Sequence, residues 1–307
     1  STLSNSNIFK LNNTLIILDG LIFNSEELSK TYNIFGTTDA EIIIKLYDKF
    51  GFQKTISLID GELIIVILDL KSKVLYLCRD KLGIKPAYYH VGKGFMSMAS
   101  KPIAIVKLKN FKTEINKKYL ALQLGSHYRT FDNDVEASPF LNLSQLPASS
   151  YMEFNIHTKK FSINKYWNIK SDFKLVISEQ NMIDDYRSIL FNSLNKRLKK
   201  IKNPAFTLSG GMDSSSILCS SSKILQKPQV AFSSVYKDPT YDERNEIKDV
   251  ISKSVSKWHT IEIGNQVDLI ENIRNLVRIH NEPVATATWL SHFLLSKDVK
   301  LNGFDSL

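Results

Sequence analysis

Cysteine is nearly absent from this chain of 307 residues, since Cys78 and Cys219 are the only two. No C-x-x-C pair or Cys/His cluster accompanies them, so the spacing typical of a zinc site or a disulfide framework is missing. Each cysteine lies within an apolar stretch. We therefore expect two buried, reduced thiols, and a fold that is stabilised by its hydrophobic core and not by disulfides or zinc.

Long apolar runs are also lacking. No run approaches the about 18 residues that cross a bilayer, and the opening "STLSNSNIFKLNN" lacks the charged-then-apolar layout of a secretory signal. Hydrophobic residues still make up 43% of the chain, enough to bury a core in each of two domains. The composition predicts an ordered, soluble protein of the cytoplasm, with no membrane partner.

Charge of one sign is not concentrated, although the net charge is +9. Only "NKRLKKIKN" at 195–203 clusters basic residues, and acids are interleaved with the others. Nucleic-acid binding requires a basic face or a recognised motif. The sequence therefore predicts no nucleic-acid partner.

The first half is dominated by short strand-like segments separated by turn signals such as Asp19-Gly20 and Asp60-Gly61. One amphipathic helix, "DAEIIIKLYDKFG", interrupts them. This pattern predicts an α+β domain of packed antiparallel sheets. The strand-like segments are "LIIL", "ELIIVILDL", "KVLYLCR", "AYYHV" and "FMSMAS".

The second half alternates strands and helices, which predicts an α/β domain with a parallel sheet. A long helix over 181–200 comes first, with Ile183, Tyr186 and Ile189 among its apolar positions. We predict the strands "AFTL", "VAFSSVY" and "TIEI", each followed by a helix, and a last strand, "DVKLNG", just before the end. Trp258 would complete the apolar face of the second of these helices. A sheet ending there leaves an edge or face uncovered, so we expect the domain to be incomplete.

The segment "FTLSGGMDSSSILC" places glycines and hydroxyls between a strand and a helix. With a helix start at Ser214 or Ser215, residues 209–213 form the turn, whose amides and helix dipole favour phosphate. Asp213 could hold a Mg²⁺ that bridges phosphates. An ordinary turn with Asp213 or Ser214 as N-cap is the alternative.

The order Ser-Gly-Gly-Met-Asp-Ser-Ser resembles the S-G-G-x-D-S pyrophosphate loop of ATP pyrophosphatase domains. "SSVYKDPTYDERNEI", with its Asp242-Glu243 pair, and "HNEPVATATWLSHFLL", with Glu282-Pro283, resemble later segments of asparagine-synthetase-like enzymes. The Asp242-Glu243 pair also suits a helix start. Both interpretations of the pair stay open.

The first half resembles the Ntn-type glutamine amidotransferase domain of the same enzymes. "LDGLIFNSEEL", "TTDAEIIIKLY" and "LIDGELIIVILDLKSKVLYLCRDKLGIKPAYY" carry this likeness, and the Arg-Asp-x-x-Gly-x-Lys-Pro stretch is the most diagnostic. The chain is therefore identified as a member of the asparagine synthetase B family, whose relatives include β-lactam synthetases and lasso-peptide cyclases. The likeness covers nearly the whole chain.

The resemblance implies an amidotransferase-like domain at 1–170 and an ATP-pyrophosphatase domain at 180–307, both incomplete at their outer ends. ATP and Mg²⁺ are the implied cofactors, with Asp213 as metal ligand and no catalytic residue assigned. The implied cofactor-binding residues are Leu208, Ser209, Gly210, Gly211, Asp213, Ser214, Val235 and Gly303.

Several positions depart from the family pattern. The chain begins with Ser1 where glutamine hydrolysis needs an N-terminal cysteine, and Asp19 replaces the asparagine of the oxyanion hole. Asp39 matches the acid that holds the glutamine amino group, or it caps a helix. "LNGFDSL" falls where the family has Ser-Gly-Glu-Gly-Ala-Asp-Glu; Gly303 is kept, and a gapped match would use Asp305. We expect the nucleophile-bearing strands to be absent.

The implied activity is an ATP-dependent amide-forming ligase that activates a carboxylate as its acyl-adenylate and releases pyrophosphate. Its partners would be a small-molecule or peptide carboxylate and an amine donor, with a homodimer or a partner subunit possible. One alternative is a natural-product cyclase of lasso-peptide or β-lactam type. Another is a catalytically incomplete fragment or non-enzymatic subunit, and a tRNA-modifying pyrophosphatase is the least favoured.

Overall fold

The computed structural model describes residues 8–125, 134–169, 178–240, 242–264, 268–284, 286 and 288–307. Contacts divide the chain into two compact units, Ser1–Phe173 and Lys174–Leu307. Among the described residues, no helix is long and apolar enough to cross a membrane.

The first unit contains antiparallel strands and helices. Its strands are β1 (Ile8–Leu11), β2 (Thr14–Ile22), β3 (Gly61–Asp69), β4 (Val74–Arg79), β5 (Tyr88–Val91), β6 (Met96–Ala99), β7 (Ser144–Gln145), β8 (Ser150–Asn155) and β9 (Phe161–Lys165). Its helices are α1 (Ser25–Tyr32), α2 (Asp39–Phe50), α3 (Phe52–Leu58), α4 (Pro102–Val106) and α5 (Lys117–Gly125).

Two antiparallel sheets form this unit, as the sequence predicts. The larger has the order β1-β2-β3-β4-β8-β9 and the smaller has the order β6-β5-β7. Along β3, Leu63, Ile65 and Ile67 face the core beneath α2. Ile64 belongs to the cluster shared with the smaller sheet. The period-2 alternation of a strand therefore supplies one apolar face to each layer.

Helix α2 begins at Asp39, one residue earlier than a cap at Asp39 would require. Thr38 is the N-cap, and its hydroxyl accepts the Glu41 N–H at 3.2 Å. Gly51, with φ 74°, follows the last helical residue. Asp39 is already helical, and its Oδ2 accepts the Ile22 N–H from the end of β2 at 2.8 Å. The capping role considered for Asp39 is therefore wrong, because Thr38 has the extended backbone of a cap.

The second unit has a parallel sheet, also as predicted. Strands β10 (Phe206–Thr207), β11 (Gln229–Tyr236) and β12 (Val255–Ile263) follow one another in that order. The helices are α6 (Glu179–Leu198), α7 (Met212–Leu225), α8 (Arg244–Ser254), α9 (Leu269–His280) and α10 (Thr288–Leu301).

Trp258 lies on a strand and not on a helix. Helix α8 ends at Ser254, and β12 starts at Val255, so the helix predicted to reach Trp258 is four residues too long. The β-branched Val255 and Ile261, together with parallel pairing to β11, favour the strand. The indole is half-buried and packs against the core around Leu218 and Ala231.

The strand predicted as "DVKLNG" is wrong. Helix α10 runs through Asp298 to Leu301, because Leu290, Leu295 and Val299 are buried at helical spacing. Residues after the helix turn back toward β10, where Ser306 forms a parallel bridge with Pro204 and its carbonyl accepts the Ala205 N–H at 2.8 Å. Most of the segment predicted as the last strand is therefore the end of helix α10, and Ser306 bridges Pro204, just before β10.

Helix α6 matches the helix predicted over 181–200, but the apolar face of this helix is not fully buried. Ile183, Tyr186 and Ile189 are 44%, 69% and 69% exposed, whereas Leu198 is buried. Apolar spacing identified the helix correctly, because the periodicity is local. It did not identify which part of the face is covered in this unit.

Candidate functional site

The glycine-serine loop joins β10 to α7 at the carboxyl edge of the parallel sheet. Leu208 is buried, and its N–H donates to the Phe232 carbonyl of β11 at 2.9 Å. Helix α7 begins at Met212, two or three residues before the predicted start at Ser214 or Ser215, with Gly211 as its N-cap. The capping role considered for Asp213 or Ser214 is therefore wrong, because both residues are already in the first turn.

Hydroxyls of the loop hold its shape. Ser214 Oγ accepts the Ser209 N–H at 3.1 Å and lies 3.0 Å from Ser209 Oγ. Ser215 Oγ donates to the Gly211 carbonyl at 2.9 Å. Ser209 and Ser214, two of the implied cofactor-binding residues, thus hold the turn against the start of α7.

Three backbone amides at the start of α7 remain open. The N–H groups of Met212, Asp213 and Ser214 have no hydrogen-bond partner among the residues that the structure describes. The first N–H groups of a helix have no intrahelical acceptor, and they carry the partial positive charge of the helix dipole. This helix end therefore presents consecutive donors suited to an anion.

Asp213 fits a magnesium ligand of the type that shares the ion with phosphates. Its carboxylate is exposed in the first turn of α7, without an ion pair or hydrogen bond in the described part of the chain. Mg²⁺ is commonly bound through one or two carboxylates plus substrate phosphates. Within the described ranges no three His, Cys, Asp or Glu residues group as a metal cage, so any ion held here would need oxygens from a ligand.

Val235 lies near the loop, whereas Gly303 does not. Val235 is buried near the carboxyl end of β11, two residues beyond Ser233, whose hydroxyl contacts the Leu208 carbonyl. Gly303 follows α10 with φ 81°, and its carbonyl accepts from Asn203 Nδ2 at 3.0 Å. Because Asn203 precedes β10, Gly303 sits at the amino edge of the sheet.

The alignment of "LNGFDSL" with a ligand loop therefore lacks structural support. Asp305, the alternative position, also lies at the amino edge, where its carboxylate accepts the Asn203 N–H at 3.2 Å. The loop at 209–214 follows the carboxyl end of the same strand. Gly303 and Asp305 are thus not brought together with the other predicted residues.

Glu243 reaches the loop from the start of α8. Its Oε2 accepts the Gly210 N–H at 2.9 Å, although 33 residues separate the two. Its neighbour Asp242 pairs instead with Arg244, at 2.7 and 2.9 Å. Glu243 occupies the N-cap position of α8 without making a side-chain cap bond. The resemblance of the Asp242-Glu243 pair pointed to Glu243, but the sequence did not identify Gly210 as its hydrogen-bond partner.

A second contact missed by the sequence supports the base of the loop. Trp258 Nε1 donates to Ser233 Oγ at 2.8 Å, and Ser233 Oγ donates to the Leu208 carbonyl at 2.5 Å. Ser233 is 1% exposed. One hydrogen-bonded chain thus links β12, β11 and the residue that precedes the loop.

The first unit contains a separate cleft between its sheets, with a volume of about 340 Å³. It is lined mainly by apolar side chains, together with Asp19 and Ser100. Asp19 Oδ1 lies 3.5 Å from Lys85 Nζ. Asp39 is engaged with the Ile22 amide. Ser1 lies outside the described residues.

The Arg-Asp-x-x-Gly-x-Lys-Pro stretch forms a turn that is held by hydrogen bonds made by its Arg and Asp side chains. Arg79 donates to the carbonyls of Gly83, Lys85 and Leu146, at 2.7 to 2.8 Å. Asp80 is 2% exposed, and its carboxylate accepts the N–H groups of Leu82, Ile84 and Lys85. The motif that is most diagnostic of this half thus fixes the backbone of a turn. Its Arg79 and Asp80 side chains are hydrogen-bonded, as buried polar groups generally are.

Comparison with known proteins divides the chain in the same way. The family described as glutamine amidotransferase domain matches residues 8–167, and the family described as asparagine synthase matches residues 185–305. The glutamine phosphoribosylpyrophosphate amidotransferase structure from B. subtilis aligns with a TM-score of 0.37 and 12% identity, covering 83% of this chain and 63% of that one. A TM-score that low carries no weight for the fold.

The asparagine synthetases that resemble this chain are distant from it in sequence. A Methanocaldococcus jannaschii protein named as a glutamine-hydrolysing asparagine synthetase is 27% identical over 273 residues, 88% of this chain and 52% of that protein. Glutamine-hydrolysing asparagine synthetases of Bacillus subtilis and Rattus norvegicus are 26% and 29% identical, covering 66% and 70% of this chain but 28% and 37% of those proteins. The chain thus spans about half the length of the first of these relatives and less of the others. With both domain families matched in order, the chain belongs to the asparagine synthetase family.

Proposed function

We propose that the chain carries the ATP site of an ATP-dependent, amide-bond-forming ligase. The observation that carries this proposal is the set of open amides at Met212, Asp213 and Ser214, beside a free carboxylate, in the Ser-Gly-Gly-Met-Asp-Ser-Ser loop. We assign the amidotransferase-like domain to residues 1–170 and the ATP-pyrophosphatase domain to residues 180–307.

The proposed reaction activates a carboxylate. Its oxygen attacks the α-phosphorus of ATP, the bond from that phosphorus to the bridging oxygen breaks, and pyrophosphate leaves with the electron pair. An amine then attacks the acyl carbon, loses a proton and displaces AMP. The products are an amide, AMP and pyrophosphate.

The residues of the loop would act on the pyrophosphate. The amides of residues 212–214 are fixed donors, so they would stabilise the charge that builds on the leaving group without reorganising. Buried Leu208 and Val235 would hold the apolar base of the site. Asp213 would hold Mg²⁺, which when bound neutralises part of the phosphate charge.

A cyclase-type reaction is the second candidate, and one observation favours it. Asp19 stands in the cleft of the first unit in an ion pair with Lys85. A carboxylate at that position opposes the negative charge that develops in glutamine hydrolysis. An amine from outside that cleft, such as one within a peptide substrate, would then serve as the nucleophile.

Nucleotide binding tests the proposed ATP site. We expect Mg²⁺-ATP and Mg²⁺-pyrophosphate to bind in calorimetry and Asp213→Asn to weaken both at least about tenfold, since removing a charged ligand costs one to several kcal/mol. Asp184→Asn is a matched control, because Asp184 is an exposed carboxylate of α6 paired with Arg187.

A chain that binds neither compound would overturn the proposal. Binding without pyrophosphate release, across a panel of carboxylates that includes aspartate and peptides, would favour the non-enzymatic subunit instead. Salt-sensitive binding of tRNA together with the nucleotide would favour a tRNA-modifying enzyme.

A further inference from the structure

We infer that Glu243 is a positioning residue for the pyrophosphate loop: by accepting the Gly210 N–H, it holds the turn in the shape that leaves the next amides open. This inference rests on the proposed function. Glu243 would act through the loop and would not itself bind the nucleotide.

The contact between Glu243 and the loop is direct and close. Glu243 Oε2 lies 2.9 Å from the Gly210 nitrogen. A Cβ on Gly210 would lie 2.7 Å from Glu246 Cβ and 3.3 Å from Glu243 Cβ. The first turn of α8 therefore packs on the backbone of Gly210, and this packing needs a residue without a side chain.

The two glycines make such a restraint necessary. Consecutive glycines allow the backbone many conformations, and ordering them costs entropy. Helix α7 fixes the loop from Met212 onward, and the Ser233 hydroxyl fixes Leu208. Between these ends, Gly211 N–H donates to Ser209 Oγ at 3.3 Å and has no other hydrogen-bond partner among the residues that the structure describes. The Glu243 carboxylate is therefore the contact from outside the loop that sets the direction of the Gly210 peptide.

Nearby acids do not share this task. Asp242 is paired with Arg244. Glu246 contributes packing atoms beside Gly210, but in the described structure its carboxylate has no hydrogen bond to the loop. Among the described acids, Glu243 is thus the one that combines position with a hydrogen bond to a loop amide.

A carboxylate next to an anion site could instead act as a competitor for the anion. The two roles predict opposite responses. A glutamine at position 243 keeps an oxygen that can accept the Gly210 N–H but removes the charge. An alanine removes both. If Glu243 positions the loop, glutamine preserves its function, whereas if it competes by charge, both replacements strengthen pyrophosphate binding.

Calorimetry with Mg²⁺-pyrophosphate on the full chain separates these roles. We expect Glu243→Ala to weaken binding about tenfold, the equivalent of one charge-assisted hydrogen bond, and Glu243→Gln to stay within about threefold of the unaltered chain. Glu246→Gln, a loss of charge one turn later in α8, should bind normally. Hydrogen exchange of the peptide over 206–218, without ligand, should be faster only in Glu243→Ala.

Three results would overturn the inference. Unchanged binding and exchange in Glu243→Ala would remove the positioning role while leaving the ATP site intact. Tighter binding by both variants would identify a competing anion. Absence of pyrophosphate binding by the unaltered chain would instead reject the proposed function itself, and this inference with it. Circular dichroism of each variant excludes misfolding as the cause.

Discussion

At the scale of the residue, Ser233 connects the interior of the parallel sheet to the loop. Its hydroxyl donates to the Leu208 carbonyl and accepts from the Trp258 indole. Leaving either partner unsatisfied in a buried site costs free energy. The position of the loop is thus set by a buried polar contact beneath it as well as by the loop's own residues.

Replacing Ser233 with alanine should lower the free energy of unfolding. The change leaves the Trp258 N–H and one Leu208 lone pair without a partner, at a cost of about 1–3 kcal/mol. Urea unfolding followed by tryptophan fluorescence measures this loss. Ser234→Ala is the control, because Ser234 Oγ is buried without a hydrogen-bond partner in the described structure. Equal losses in the two variants would contradict the role of Ser233.

The two cysteines should differ in reactivity. Burial raises the pKa of the Cys78 thiol far above its usual range, whereas Cys219 is only half-buried. Since the thiolate is the reactive form, a thiol reagent at pH 8 should modify Cys219 in the folded protein and spare Cys78. Mass spectrometry of the peptides measures this. Rapid modification of Cys78 in the folded chain would contradict the described core, and the same reagent in urea shows that the thiol can react.

At the scale of the element, the first turns of α2 and α7 differ in how their backbone N–H groups are satisfied. Helix α2 begins with Thr38 as cap, and the Glu41 carboxylate accepts the Thr37 N–H at 2.7 Å. Helix α7 begins with Gly211 and leaves its amides open. The capped start of α2 stabilises the first unit, whereas the unpaired N–H groups at the start of α7 are available to a ligand.

The α2 terminus should make stability depend on pH. The hydrogen bond from Lys45, followed by that from the Thr37 amide, lowers the pKa of Glu41 below its ordinary 4.5. A lowered folded pKa means that the stabilisation is present above about pH 4.5 and lost as the pH falls through the folded value. Glu41→Gln should therefore lower the midpoint of urea unfolding more at pH 7 than at pH 3. A pH-independent difference would contradict the ion pair.

The contact between α8 and the loop should make Gly210 intolerant of a side chain. In Gly210→Ala the Cβ would meet Glu246 Cβ at 2.7 Å, so the helix or the loop must move. Pyrophosphate affinity should fall more than about tenfold. Gly211→Ala is the matched control, because its φ is −74° and its nearest neighbour is the Ser209 hydroxyl at 3.2 Å. Equal affinities of the two variants would contradict the close packing.

At the scale of the whole molecule, each unit has its own architecture and its own core. Antiparallel sheets enclose one, and a parallel sheet flanked by helices forms the other. The proposed anion site belongs wholly to the second unit. The cleft with Asp19 belongs wholly to the first.

Ligand protection should follow this division. Saturating Mg²⁺-pyrophosphate at about 100 times its dissociation constant should stabilise the unit it binds by about 2.7 kcal/mol. Hydrogen exchange should then slow in peptides from β10, α7 and the start of α8. Asp213→Asn, at the same ligand concentration, should show less protection. Slowing confined to peptides of the first unit would contradict the assignment of the site.

The sequence by itself determined the fold class, most element positions and the family. The alternation of apolar and polar residues in β3 and the helical spacing of apolar residues in α2 are local signals. Each has a period that fits one type of secondary structure, so it could be predicted from sequence. The glycine-serine loop could be located for the same reason, since its strand, turn and helix are consecutive. Val235 lies at the same edge of the sheet as the loop, because the carboxyl ends of parallel strands meet there.

Only the tertiary structure decided which distant residues meet. Glu243 reaches Gly210 across 33 residues, and Ser233 joins Trp258 to Leu208 across two strand pairings. Gly303 lies at the opposite edge because α10 continues to Leu301, so the chain turns back toward the start of β10. Such contacts depend on the order of strands and the lengths of helices. Local periodicity carries no information on either, so sequence alone identified the loop but not the residues that hold it.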